Sequence, residues 1–136
     1  MATRGRIGLE LKDGSILSAY HHWDSYCEWL GKQLVEHYPT RDKVATLIDG
    51  GDMSSAYTNC GWNNETLPES KALYYTDRGE KLENNLPRLD ATLADYLNKD
   101  NGEEYHYLMT LNGEWIAYQM NSFEKQDPEI VSIPTE

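Results

Sequence analysis

The sequence predicts an α+β domain: a single antiparallel sheet built from an N-terminal and a C-terminal β-hairpin, with about three helices on one face. Three observations predict it. Asp13-Gly14 and Asn112-Gly113 each separate two apolar-alternating runs, the strongest short-range hairpin signal. Apolar residues recur at helical spacing after Ser25, after Thr40 and again from Leu86. Strand pairs flanking helices read as one sheet with helices packed on it.

The elements follow in order. Arg6 to Leu11 places Ile7, Leu9 and Leu11 on one side, turns at Asp13-Gly14 and returns as Ile16 to Trp23. Alternation puts His21 and His22 on opposite faces, so a regular strand cannot let them share one ion. Ser25-x-x-Glu28 has capping-box spacing before Tyr26, Trp29, Leu30, Gln33, Leu34, His37 and Tyr38, and Pro39 stops that helix. Thr40 caps a second helix carrying Val44, Leu47 and Ile48, which ends at Asp49-Gly50-Gly51-Asp52. Residues 53–70, rich in Ser, Thr, Asn and Gly with Tyr57 and Trp62 embedded, read as the least regular part, and long irregular segments in small domains are often functional. Leu73 to Thr76 reads as a short strand closed by Asp77-Arg78-Gly79-Glu80. Leu86, Leu89, Leu93, Tyr96 and Leu97 mark a third helix with Pro87 in its first turn. Asn101-Gly102 is a turn, and Tyr105 to Leu111 with Glu114 to Met120 forms the last hairpin. Trp23 and Trp115 are expected to meet the helix leucines in the core.

A chain of 136 residues suits one domain, read as 1–120, with 121–136 an extended or partly disordered tail carrying Pro128 and Pro134. The mean hydropathy is −0.74, polar for a globular chain. The 4 Trp and 10 Tyr supply the large buried areas that aliphatics do not. No apolar run approaches the roughly 20 residues of a membrane span. No apolar stretch follows the N-terminal basic residues as in a secretory signal. Only Cys27 and Cys60 occur, so both are read as free thiols of a cytoplasmic protein.

The net charge of −11 is unevenly placed. Up to Lys43, six basic residues (Arg4, Arg6, Lys12, Lys32, Arg41, Lys43) meet six acidic ones (Glu10, Asp13, Asp24, Glu28, Glu36, Asp42), and beyond it 17 acidic residues face 6 basic ones. Such a surface repels phosphate backbones, which argues against direct nucleic-acid binding. It either keeps the chain soluble or presents a decoy to a nucleic-acid-binding partner.

The order Asp13-Gly14, Tyr20, His22-Trp23-Asp24, Leu34, His37-Tyr38, Val44, Leu47-Ile48, Gly51-Asp52, Ser54-Ser55 and Asp77-Arg78-Gly79-Glu80 resembles a family of small uncharacterised proteins. They occur in tailed phages, including cyanophages, and in some bacteria. The resemblance covers roughly residues 4 to 120; Ser25 and Cys27 stand where the family has Gly and Pro. It implies no activity. It implies a small auxiliary protein made during infection and acting in the host cytoplasm.

No P-loop, GxGxxG, CxxC pair or HExxH occurs, so no cofactor is expected. A zinc site would need His22, Asp24, Asp52 and a cysteine from separate segments, and nothing in their spacing supports it; no metal is expected. An acid/base pair of His22 with Asp24 would sit some 6.5–7 Å apart on one strand face, too far for direct contact. Binding is better supported. Ser54 and Ser55 follow the Gly-rich turn, Arg78 sits beside Gly79, and aromatics lie near. A guanidinium with hydroxyls and free N–H groups holds a carboxylate or phosphate. The expected lining is His22, Asp24, Tyr26, Asp52, Ser54, Ser55 and Arg78, with Arg78 alternatively an ion-pair staple to Asp52 or Asp24. The expected function is a non-catalytic module that blocks or sequesters a host protein or a small anionic ligand such as a nucleotide signal. The alternative is a small hydrolase or metal-dependent enzyme using His22 and Asp24.

Overall fold

A computed structural model describes residues 3–23, 25–61, 66–97, 103–119, 129–131 and 133. Strand β1 (Gly5–Glu10) turns back as β2 (Ile16–His21), with Asp13 Oδ1 accepting from the Ser15 N–H at 3.0 Å and Gly14 at φ 88°. The last hairpin, β6 (Tyr105–Met109) and β7 (Trp115–Gln119), turns at Gly113 with φ 82°. A positive φ is what glycine supplies in such turns. Both hairpins belong to one sheet, as expected, but they meet as a parallel pair: Arg6 lies beside His106 and Ile7 beside Tyr107.

Between them the chain forms α1 (Lys32–His37), α2 (Arg41–Asp49), β3 (Met53–Cys60), β4 (Thr66–Tyr74), β5 (Arg88–Asp90) and α3 (Leu93–Tyr96); β8 (Glu129–Val131) pairs with β7. The sheet runs β4-β3-β2-β1-β6-β7-β8, with β5 branching off β2. It is α+β, and mostly antiparallel rather than wholly so. The β1–β6 and β2–β3 pairs are parallel, because the chain crosses over before each returns.

Thr40 caps α2 as its sequence predicts, its side chain accepting from the Lys43 N–H. Other expectations are corrected. Ser25 caps nothing: it is fully buried, its Oγ 2.8 Å from His21 Nδ1. The helical stretch instead opens after Tyr26 with a π-turn, Cys27–Gly31, and no side-chain cap. Trp23 is 49% exposed: it lies beyond the end of β2, where its N–H donates to Ser54 O. Trp115 does pack on the core, and its Nε1 donates to Tyr38 O at 3.0 Å.

The segment read as irregular is mostly the β3–β4 hairpin, bulged at three places and polar because much of it faces solvent. Trp62 lies outside the described residues, as do Asn101-Gly102 and most of the tail. The predicted third helix breaks into the strand β5 and the single turn α3. Leu86 and Leu89 are exposed and only Tyr96 of α3 is buried, so leucine spacing without a face to bury does not sustain a helix. Both cysteines are free; Cys27 is buried and Cys60 exposed.

The core lies on the α1/α2 face. There Ile7, Leu9, Ala19, Tyr107, Met109 and Ala117 meet Leu30, Leu34, Val44, Leu47 and Ile48. A smaller cluster of Ile16, Tyr96, Leu108 and Tyr118 covers the other face, so α3 sits opposite α1 and α2 and the helices do not share one side. No helix among the described residues is long and apolar enough to cross a membrane.

Candidate functional site

The outer edge of β2 serves two partners. Its first half, Ile16 to Ser18, pairs with β5, and its end, His21, pairs with β3. The sheet therefore forks at residues 19 and 20. The Tyr20 N–H, left at the fork, donates to Asp52 Oδ1 at 3.2 Å. Gly51 allows this placement: with φ 85° and Asn85 O where a Cβ would lie, no side chain fits, and the Asp52 N–H donates to that same Asn85 O at 2.9 Å.

One row of side chains crosses the sheet beside the fork. The registers align Tyr20, Arg6, His106 and Tyr118 across β2, β1, β6 and β7. Arg6 is buried; its Nε donates to Ser18 Oγ at 2.9 Å, its Nη2 to Ser18 O at 3.3 Å, and its Nη1 lies 3.8 Å from Glu103 Oε1. Arg88, on β5, is paired through Nε with Asp90 Oδ2 at 2.9 Å. Tyr96 of α3 sets its ring edge-on to His106, centroids 4.9 Å apart, and its hydroxyl donates to Tyr107 O at 2.6 Å.

On this face of the sheet several hydrogen bonds are unmet. Five buried side-chain polar atoms lack a partner among the described residues, and three of them are here: Nδ1 and Nε2 of His106, and Nη2 of Arg88. Buried polar groups are as a rule hydrogen-bonded, so three unmet atoms on one sheet face are a departure from that rule. Burial, then Arg6 and Arg88, push the His106 pKa down to about 3, so the ring is neutral. Burial raises the Glu103 and Asp52 carboxyls above their usual range, although both arginines oppose the shift.

Against this geometry the sequence-predicted site is partly assembled. Asp52 sits at the fork. His22 lies on the same strand face as Tyr20, whose Oη is 2.8 Å from His22 Nδ1, and its ring meets Trp23 edge-on. Ser54 is buried and pairs through its carbonyl with the Trp23 N–H; Ser55 is half-buried further along β3. Tyr26 stands at the head of the π-turn. Asp24 lies outside the described residues, as does the side chain of Arg78. Arg78 closes a 3-10 turn, Tyr75–Arg78, tied to the fork by the Tyr75 N–H donating to Asp52 O at 3.3 Å.

No family model, curated protein or solved structure matches this chain.

The sequence reading missed Arg6, Arg88, Glu103 and His106. The available signal was the polar residue inside each of two apolar strands, Arg6 in β1 and His106 in the run Tyr-His-Tyr-Leu-Met. Only the parallel β1–β6 register makes neighbours of residues 100 positions apart. No group of three or more metal-ligating side chains converges among the described residues.

Proposed function

We propose that the protein is a non-catalytic binding module whose polar sheet face, beside the fork, holds a small polar ligand through His106 and Arg88. The observation that carries this reading is the set of three unmet buried hydrogen-bonding atoms there. A neutral imidazole offers one donor and one acceptor, and Arg88 Nη2 adds a donor. A ligand edge with two acceptors and one donor would satisfy all three, and a nucleobase edge carries such a pattern. Each unmet buried group costs about 1–3 kcal/mol, which a ligand would recover.

Charge supports a polar edge over a bare anion. Arg88 is matched by Asp90 and Arg6 faces Glu103, so an added anion would meet carboxylates as well as guanidiniums. A histidine held near pKa 3 is a weak base at neutral pH, and the one hydroxyl bonded to Arg6 is fully buried, which supports binding over catalysis. The resemblance to tailed-phage proteins supports the biological frame: capture of a small nucleotide signal in the host cytoplasm.

The test is mass spectrometry of small molecules released on denaturing protein purified under mild conditions, paired with thermal shifts against nucleobases, nucleosides and mononucleotides. The wild type should release, or be stabilised by, one such compound, and His106→Leu should not. Equal behaviour of the two proteins across the panel would sink the reading.

A further inference from the structure

We propose that the groove between α2 and β4 is a separate binding site, for a small organic anion with an apolar body. The groove holds about 500 Å³, within the range of small-molecule sites. It lies on the α1/α2 side and shares no residue with the fork, so the inference is independent of the function proposed above.

The floor is apolar for a structural reason. Tyr38 and Tyr74 line it, and both hydroxyls are turned away into the protein: Tyr38 Oη donates to Ala56 O and Tyr74 Oη to Leu47 O, each at 2.6 Å. What they offer a ligand is ring surface, beside Leu47 and Ala72. Burial pushes the Tyr38 hydroxyl up to about 12 and the Tyr74 hydroxyl higher, so neither contributes a negative charge near neutral pH.

The rim carries two lysines and two carboxylates, and only the lysines are left to meet a ligand. Lys43 on α2 and Lys71 on β4 line the groove, and neither has an ion-pair partner among the described residues. The two rim carboxylates already have structural work. Asp77 Oδ2 accepts from the Tyr74 N–H at 3.0 Å, and Asp42 sits in the first turn of α2, where the helix dipole favours it. The two rim lysines balance the two rim carboxylates, so in a chain of net charge −11 this concave apolar surface is a local exception to the acidic field around it. An amphiphilic anion fits both halves: the body lies on the tyrosine rings and the acid group reaches the ammonium groups.

The experiment uses anilinonaphthalene sulfonate, whose fluorescence rises on an apolar surface and whose sulfonate supplies the charge. The folded protein should bind one equivalent. The double variant Lys43→Gln/Lys71→Gln should lower the affinity about fivefold, as two exposed charge contacts allow, with an unchanged melting temperature. Thr46→Trp, placed on an exposed groove-lining position of α2, should block the site. Octanoate should displace the probe, and octanol at the same concentration should not. Unchanged affinity in the double variant, or displacement by octanol as good as by octanoate, would overturn the proposal.

Discussion

On the α1/α2 face, the inward positions of β1, β6 and β7 are Ile7, Leu9, Tyr107, Met109 and Ala117, packed against helix aliphatics. The opposite face buries Arg6 of β1, Ser18 of β2 and His106 of β6, with Glu103 and a small apolar cluster beside them. Both faces are closed to water, so exposure does not separate them. What separates them is whether burial is compensated. Apolar side chains gain by leaving water, while polar ones lose unless bonded, and on the polar face three atoms are not. One face holds the fold together; the other keeps unmet polarity in place at some cost to stability, as a site would.

The comparison predicts unequal responses to mutation. The largest should come from the apolar face: Leu34→Ala, at a fully buried position, should cost about 2–5 kcal/mol in chemical denaturation. Arg6→Met should come next, at about 2 kcal/mol, because it leaves Glu103 and Ser18 buried without their cation. A cost for Arg6→Met as large as that for Leu34→Ala would mean that the polar face also carries the fold.

Acid should act through the histidines. Burial holds His21 and His106 near pKa 3 in the folded state, while the unfolded chain titrates near its ordinary 6.5. Below 6.5 the unfolded chain takes up protons that the folded protein refuses. Stability is therefore complete above that pH and falls on acidification toward 3, with a limiting slope of about 1.4 kcal/mol per pH unit for each histidine. The raised carboxyls of Glu103 and Asp52 act in the opposite sense, each from its own lower ordinary value upward. Denaturation midpoints from pH 7.5 to 5.5 should decline, and His106→Leu should remove about half of that decline.

Smaller effects sharpen the contrast. At pH 7, His106→Leu should be neutral or stabilising by up to about 1 kcal/mol, since it replaces unmet polar atoms with an apolar side chain. A loss beyond about 2 kcal/mol would show that His106 is already satisfied within the protein. Trp23→Ala should change stability by less than about 0.5 kcal/mol, as expected for an exposed side chain.

The parts of this architecture that were legible in the sequence carry their instructions locally. Asp13-Gly14, Asn112-Gly113 and Thr40 fix backbone geometry within a few residues, so the two hairpins and α2 could be read directly. Leu86 to Leu97 misled because leucine spacing says which residues share a helical face, not that anything waits to cover it. The β3–β4 hairpin was hidden by its hydroxyls and amides, which suit a solvent-facing strand as well as a loop. Asp52 was singled out from its place after the Gly-rich turn, while its bond to the Tyr20 N–H depends on where β2 changes partners. Arg6 and His106 stood out only as polar residues inside apolar strands, and their proximity to each other and to Glu103 exists only once β1 and β6 pair in parallel.

The central claim is that His106 is a neutral, unmet binding group on the polar face. Long-range nitrogen–proton NMR of its imidazole, followed from pH 7.5 to 5 with and without the compound released from the wild-type protein, tests it most directly. The ring should remain neutral throughout that range, and adding the compound should shift its ring-nitrogen resonances while leaving those of His37 unmoved. A His106 ring that titrates near 6.5, or whose nitrogens ignore every compound that the protein binds, would contradict it.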